Sequence, residues 1–419
     1  MINNWLITFY KKKDFLFLVL LLGGYVFISS LPSLFGVDSR FFSVPYRFFV
    51  FTFSFFILIE NRLILKSRSK LIFLFSLFWI FYAFKVYYSF SKDFYLPEIL
   101  KQENEIYIRI FVVNLIPCLA LLSIDYSKIN IKILTKYLFW ILFVMLFINF
   151  VYTSLFLKLF DKISGIFSVY YISSGHFGAS LVILCSYLLM FKTDENILNN
   201  KLLVSGIFLG LFAIFISAAR SPILAIIIIG IYFIILKNKI KYVYLFFILL
   251  ISFCSIIYGF KEFLQFESAF VDRNYVAVFE GNSSGRESLF SKSFPIIKNN
   301  LIVGGRVLYE DGMYPHNIFL ELLMSGGILL LSVFGMLFYP LIKKLRYFFR
   351  FSNLKFYILI IFALWIQYLT LIQTSYNIHC NAEFWYFSCV VIGISLNIYN
   401  EETKSNDGSW NPSGNNTLI

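Results

Sequence analysis

Only three histidines occur in the 419 residues, and one of them, His316, stands in the stretch MYPHNIFLELLMSGGILLL, where a polar segment turns into a long apolar run. Imidazole titrates near neutral pH, so a histidine at such a junction is suited to take a proton from an attacking hydroxyl. Three arginines stand in related settings: Arg220 in ISAARSP, Arg286 in SSGRESLF and Arg306 in VGGRVLY. Arginine is charged at every relevant pH, and its planar fork of donors matches phosphate oxygens. Pro222 is placed to open a helix and Pro315 precedes one; helix N-termini carry unpaired N–H groups and partial positive charge. Together these residues describe a site for a diphosphate with His316 as general base. A diphosphate leaving group is a weak base and needs charge stabilisation more than protonation, so arginines serve without a metal. The chain has no Asp-rich cluster or DxD-type pair, and no cofactor is expected.

The elements that must position these side chains follow from composition. With 59% hydrophobic and 14% charged residues, a soluble domain of this size cannot hide its apolar surface, whereas lipid solvates it directly. Runs such as 15–31 and 222–236 approach or reach the length that crosses ~30 Å of hydrocarbon. Backbone groups in the bilayer core must be bonded internally, so the spans are helices; barrel strands would alternate polar and apolar residues, and these runs do not. The expected fold is an all-α polytopic membrane protein. Its twelve spans are placed at 15–31, 41–59, 71–90, 106–123, 134–157, 168–191, 203–219, 222–236, 242–259, 317–339, 355–375 and 383–399. The transmembrane domain covers 1–400, with one long loop at 260–316 between the ninth and tenth spans. The polar tail 401–419 has little apolar content to pack and is expected to be disordered. No internal repeat is evident, which disfavours transporters built from duplicated halves.

A net charge of +13 raises nucleic acid as a partner, but the basic residues fall in short loops between spans, where they set orientation. With Lys11, Lys12 and Lys13 cytoplasmic, the basic loops ENRLILKSRSK, DYSKINIK, KNKIK and PLIKKLRYFFRFSNLK all land on the same side. Both termini are therefore expected in the cytoplasm of a multi-pass protein, with KKKD leading into a first span that is not a cleaved signal. The long loop, the SAARSP connection and the start of the tenth span fall on the outer face, as does His176 in YYISSGHFG. The five cysteines, 118, 185, 254, 380 and 389, are scattered and form neither a disulfide framework nor a metal-ligand spacing.

Each candidate also has a plainer role. An arginine at a span end is commonly an interfacial anchor, the His316–Asn317 pair can simply be polarity at a helix start, and His176 can be a packing or hydrogen-bonding residue. His379 and Cys380 in YNIHCNAEF lie in an outer loop and raise metal binding, which two neighbouring ligands alone do not establish. Arg47 and Lys85 lie inside or near the ends of spans. Charges there point to function or to snorkelling toward the interface.

The stretch SSGRESLFSKSFPIIKNNLIVGGR followed by YPHNIFLELLMSGGILLL resembles the signature region of the O-antigen polymerase and O-antigen ligase superfamily. In that family a loop Gly-Arg step precedes a glycine-containing turn, and a His-Asn pair with a glycine about ten residues downstream opens the next span. The corresponding residues here are Gly285–Arg286, NNLIVGGR, and His316–Asn317 with Gly326 and Gly327; the turn lacks the family's proline. SAARSP resembles the family's Ser-x-Ser-Arg-Gly element, with Ala219 for the second serine and Ser221 for the glycine. The detailed likeness covers about 217–335, and elsewhere it is one of hydropathy.

The resemblance implies a glycosyltransferase of the bacterial inner membrane, working at the periplasmic face on undecaprenyl-diphosphate-linked oligosaccharides. Arg220, Arg286 and Arg306 would hold the donor diphosphate, His316 would activate the acceptor hydroxyl, and Asn317 and His176 would assist binding. A polymerase joins repeat units, and a ligase moves the finished chain to the lipid A core. The Phe-, Ile-, Lys- and Asn-rich composition suggests an AT-rich coding region of the kind associated with polysaccharide clusters, which favours polymerase. Membrane lipid and a chain-length-regulating protein are the further partners expected. A flippase for the same glycolipid is the alternative from another class, and it would place its binding residues in a central cavity at mid-membrane depth.

Overall fold

The computed structural model describes residues 12–406 except 93, 158–162, 192–197, 266, 282–284 and 353–354. Among these residues the structure is helical without strands. Ten helices are long and apolar enough to cross a membrane: α1 Lys12–Phe35, α2 Arg40–Glu60, α3 Ser69–Phe90, α4 Pro97–Leu122, α5 Ile131–Phe156, α6 Tyr171–Met190, α7 Asn200–Ser217, α8 Arg220–Lys237, α9 Ile240–Glu262 and α12 Ile318–Leu337. Two shorter apolar helices, α13 Phe356–Ile372 and α14 Ala382–Ile398, complete the set of twelve. The protein is thus a polytopic helical membrane protein. The final helix continues to Asn406, and the tail expected to be disordered lies outside the described residues from 407 onward.

The long connection between α9 and α12 is not a bare loop. It holds α10, Ala269–Val278, and α11, Arg286–Asn299. Hydropathy alone does not mark these helices, because they are short and polar. Helix α10 is capped by the Ser268 side chain, while α11 starts from Gly285 in the left-handed conformation, φ +77°.

The helices bury unequal shares of their surface. Helix α6 is enclosed nearly all round, with His176, Ser180 and Tyr187 in its buried set, and it packs on α7, α8 and α13. Helix α9 buries only Ile257 and exposes Tyr244, Phe247, Ile248 and Ile251. An all-apolar helix with so little protein cover is matched to hydrocarbon rather than water.

One joint between loop and span explains the glycines of the NNLIVGGR turn and of MSGG. Gly327 interrupts α12 with φ +64° and ψ −159°. The N–H groups freed at the break donate to the turn: Ile328 to the Leu301 carbonyl at 2.9 Å and Leu329 to the Ile302 carbonyl at 3.2 Å. The turn answers with Gly305 N–H to the Met324 carbonyl at 2.8 Å. The Lys85 ammonium from α3 donates to the Gly304 carbonyl at 2.9 Å. Lys85 therefore has a structural partner at the end of its span. The approach is closest at two glycines: a Cβ on Gly304 would lie 2.3 Å from the Gly326 nitrogen, and one on Gly327 would lie 2.4 Å from the Ile302 oxygen.

This joint predicts a sharp contrast between glycines. Gly327→Ala must strain a positive φ and displace the turn, costing upward of ~2 kcal/mol. It should lower the thermal unfolding midpoint of the detergent-extracted protein. Gly335→Ala, on the same helix with nothing within 4 Å of the new Cβ, should leave the midpoint unchanged. Equal midpoints for the two variants would refute the joint.

Candidate active site

The connection between α13 and α14, residues 373–381, organises the site. Glu321, fully buried on the first turns of α12, receives the Ile378 N–H with both carboxylate oxygens, at 3.0 and 3.1 Å. The Tyr82 hydroxyl stands 3.4 Å from one of those oxygens and 3.2 Å from His379 Nδ1. His379 Nε2 meets the Asn377 side-chain nitrogen at 3.0 Å, and the His379 carbonyl accepts from Asn114 Nδ2 at 3.0 Å. Trp385 Nε1 donates to the Ile378 carbonyl at 2.8 Å. A buried carboxylate is tolerable only when its acceptor capacity is used, and this one clamps a loop. His379, raised above as a metal candidate, is occupied within that clamp. Burial and the positive field of Arg109 lower its pKa to about 3, so it is neutral and suited to such contacts.

The clamped loop presents its first residues to the nominated side chains. Arg286 donates through one terminal nitrogen to the Thr374 carbonyl at 2.8 Å. Ser375 donates to the Ser221 hydroxyl at 3.0 Å, next to Arg220. The Tyr376 hydroxyl bonds with the Ser173 hydroxyl, and its ring meets the His176 ring edge-on, centroids 5.7 Å apart. His176 is buried, with Nε2 3.4 Å from the Ser221 hydroxyl. Its position supports the start of α8 from behind, so we regard it as a positioning residue.

Arg220, the first residue of α8, lies in the positive fields of both Arg273 and Arg286. Arg286, the first residue of α11, feels Arg273 in turn. Burial and that neighbouring charge lower the pKa of the Arg286 guanidinium, which nevertheless remains cationic at any physiological pH. His316 lies in the field of Arg286. Arg220, Arg286 and His316 are thus brought into one electrostatic neighbourhood from separate stretches of the chain.

The third arginine of this cluster is Arg273 of α10, which no sequence motif marked. It stands 3.4 Å from the Tyr171 hydroxyl, with its guanidinium 5.8 Å from that ring's centroid. Arg306 is held elsewhere, by Glu310 at 3.1 Å and over the Phe94 ring at 5.9 Å, on the side of the loop that faces the α3–α4 connection.

His316 has a distinctive setting. Its backbone is left-handed, φ +54°, a conformation that costs about 1–3 kcal/mol in a non-glycine residue and concentrates at functional sites. The cost is met by Asn317, whose side-chain oxygen accepts from the N–H groups of Phe319 and Leu320, both at 3.1 Å, and so caps α12. That cap defines the structural contribution of Asn317. The Tyr314 ring lies 4.3 Å from the imidazole, whose Nδ1 is buried without a hydrogen-bond partner. Burial, then the charge of Arg286, lowers the His316 pKa to about 4. The free site therefore holds a neutral imidazole at pH 7, able to accept a proton.

Against known proteins, residues 205–335 match the family model described as O-Antigen ligase. The match covers α8 to α12 with most of α7, the segment that carries Arg220, Arg273, Arg286 and His316, and it agrees with the motif resemblance to the O-antigen polymerase and ligase superfamily. That family consists of membrane enzymes of the glycosyltransferase type. No curated protein matches the chain.

Two predictions follow from this geometry. Because the His316 pKa is lowered, kcat/KM should hold its value down through pH 6 and fall only near about pH 4; an acid limb at the ordinary histidine value, about 6.5, would count against a buried neutral base. Glu321→Ala leaves the Ile378 N–H buried and unpaired, at about 1–3 kcal/mol, and should expose the 373–381 loop to protease. Glu321→Gln, which keeps an acceptor, should protect it better.

Proposed function

We propose that the protein is a surface-polysaccharide polymerase of the bacterial inner membrane, with both termini in the cytoplasm and its site at the periplasmic face. It would transfer a glycan chain from an undecaprenyl-diphosphate carrier to a hydroxyl of an incoming lipid-linked repeat unit. The observation that carries this reading is the meeting of Arg220, Arg273 and Arg286 with a neutral His316 at the face where α8 and α12 begin. Arginine forks neutralise the diphosphate as the bond from the anomeric carbon to its oxygen breaks and the electron pair leaves with it. The acceptor hydroxyl forms the new bond to that carbon, and its proton passes to the His316 imidazole. Once the diphosphate binds, its negative charge raises the affinity of His316 for that proton.

A lipid carrier also suits what lies below the arginines. A cavity of about 580 Å³ is lined by apolar side chains of α6 to α10, including Ile223, Ile226, Phe246, Phe253 and Phe270. Ile223 is one turn below Arg220, and Phe270 is one turn from Arg273, so an apolar chain whose phosphates meet the arginines has a matched path into the bilayer. The second reading, transfer of the finished chain to the lipid A core, shares this site and is favoured by the wording of the matching family. The flippase reading is disfavoured because the cationic groups gather at one end of the helices.

The test is a sugar ladder. In a strain lacking the chromosomal gene, Arg286→Ala and His316→Ala should insert normally yet give lipopolysaccharide with a single repeat, at a rate lowered at least about a hundredfold. Free core with lipid-linked polymer accumulating would indicate the ligase reading, and ladders of wild-type length from both variants would remove the proposed roles.

A further inference from the structure

A second cavity, of about 320 Å³, is bordered by Tyr376 and lies between α1, α2, α4 and α14. Its size falls at the lower end of the range typical of small-molecule sites, ~300–1,000 Å³. Unlike the apolar cavity beneath Arg220, it is lined by Arg47, Arg109, Glu383 and the rings of Tyr25, Tyr46 and Tyr170.

The polar groups are held by scaffolding contacts that leave them facing the space. Arg109 opens a π-helical stretch within α4, Arg109–Leu115, a distortion frequent at functional sites. Its guanidinium is braced by Glu105 and by Cys380 Sγ at 3.2 Å, and its carbonyl accepts from Asn114 at 2.8 Å. Arg47, one of the in-span charges singled out from the sequence, lines the cavity beside Tyr25. The Tyr46 hydroxyl is tied to the Leu20 carbonyl at 2.8 Å, so its ring is fixed as a wall. Glu383 stands on the first turn of α14. Half-buried arginines and a half-buried carboxyl group lining one cavity with aromatic walls do not suit an apolar chain. They suit a pyranose ring, whose hydroxyls both donate and accept while its C–H faces lie against tyrosines.

The cavity also adjoins the reacting corner. Tyr376 and Ser173 line it, and the Tyr376 ring touches His176. Tyr314, packed against His316, lies within the electrostatic reach of Tyr376, Cys380 and Arg109. A sugar seated there would border Tyr376, two residues beyond the Thr374 carbonyl that accepts from Arg286.

We propose that the cavity lined by Arg47, Arg109 and Glu383 is the subsite that binds the non-reducing terminal sugar of the acceptor glycan. This rests on the transferase reading above and adds to it the place of the acceptor, apart from the donor diphosphate. Arg47 and Glu383 would read ring hydroxyls, and Arg109 would hold the cavity's shape.

The experiment measures binding rather than turnover. The full chain in lipid nanodiscs is titrated with the soluble repeat-unit oligosaccharide, freed from its carrier by mild acid, and followed by saturation-transfer NMR. Wild type should bind saturably, and Arg47→Gln and Glu383→Gln should weaken binding by about ten- to a hundredfold. Arg306→Ala should bind as wild type does, because Arg306 is held by Glu310 outside this cavity. Thermal unfolding in the same nanodiscs checks each variant's fold, with Arg47→Lys and Tyr170→Ala taking over where the glutamine variants do not fold. No binding by wild type, undiminished binding by the cavity variants, or loss of binding in Arg306→Ala would each overturn the subsite. Failure of the transferase reading shows separately, as a wild-type ladder from Arg286→Ala.

Discussion

The structure around the site depends on one buried carboxylate. Glu321 lies where the apolar run of α12 begins, and both its oxygens are committed to a single backbone N–H, that of Ile378. Few uses of a buried carboxyl group are so specific: the bond joins the tenth span to the link between the last two. From Ile378 the order spreads in both directions. One way it reaches Asn377, His379 and Tyr82; the other way it reaches Thr374 and Ser375, which hold Arg286 and Ser221. Low dielectric strengthens each bond in such a chain and makes any unpaired member costly, so the network has one well-defined arrangement.

The gathering of Arg220, Arg273 and Arg286 has the opposite character. Like charges in a partly buried setting repel, and Arg220 lies in the fields of Arg273 and Arg286. Their mutual repulsion would be lessened by an anion entering among them. The frame able to hold such a cluster is made of helices, α6 with α8 and α13, and of the glycine joint where the NNLIVGGR turn fills the break in α12. Rigid supports on both sides of the long connection keep α10 and α11 at the face instead of letting them drift into solvent.

The two cavities differ sharply in their chemistry. The space bounded by α6 to α10 is apolar and lies below the arginines. That between α1, α2, α4 and α14 offers arginine, carboxylate and tyrosine. His316 lines neither of them and stands in a strained backbone conformation, with its Nδ1 buried and without a hydrogen-bond partner.

Much of this was legible in the chain itself. Apolar runs longer than the bilayer is thick admit only helices, so the twelve-span fold follows from composition and length. Arg220, Arg286 and His316 were identifiable because charge and imidazole at the border of hydrocarbon are expensive and demand a reason. Tertiary structure alone decided that Arg273 rather than Arg306 joins them, since α10 is too short and polar for hydropathy to register and its approach to Tyr171 is set by packing. It also decided the roles of Glu321 and Arg109, whose distant partners stand 57 residues away at Ile378 and 271 residues away at Cys380. Local sequence fixes what a segment buries; which distant group meets a buried charge is settled only when the helices pack.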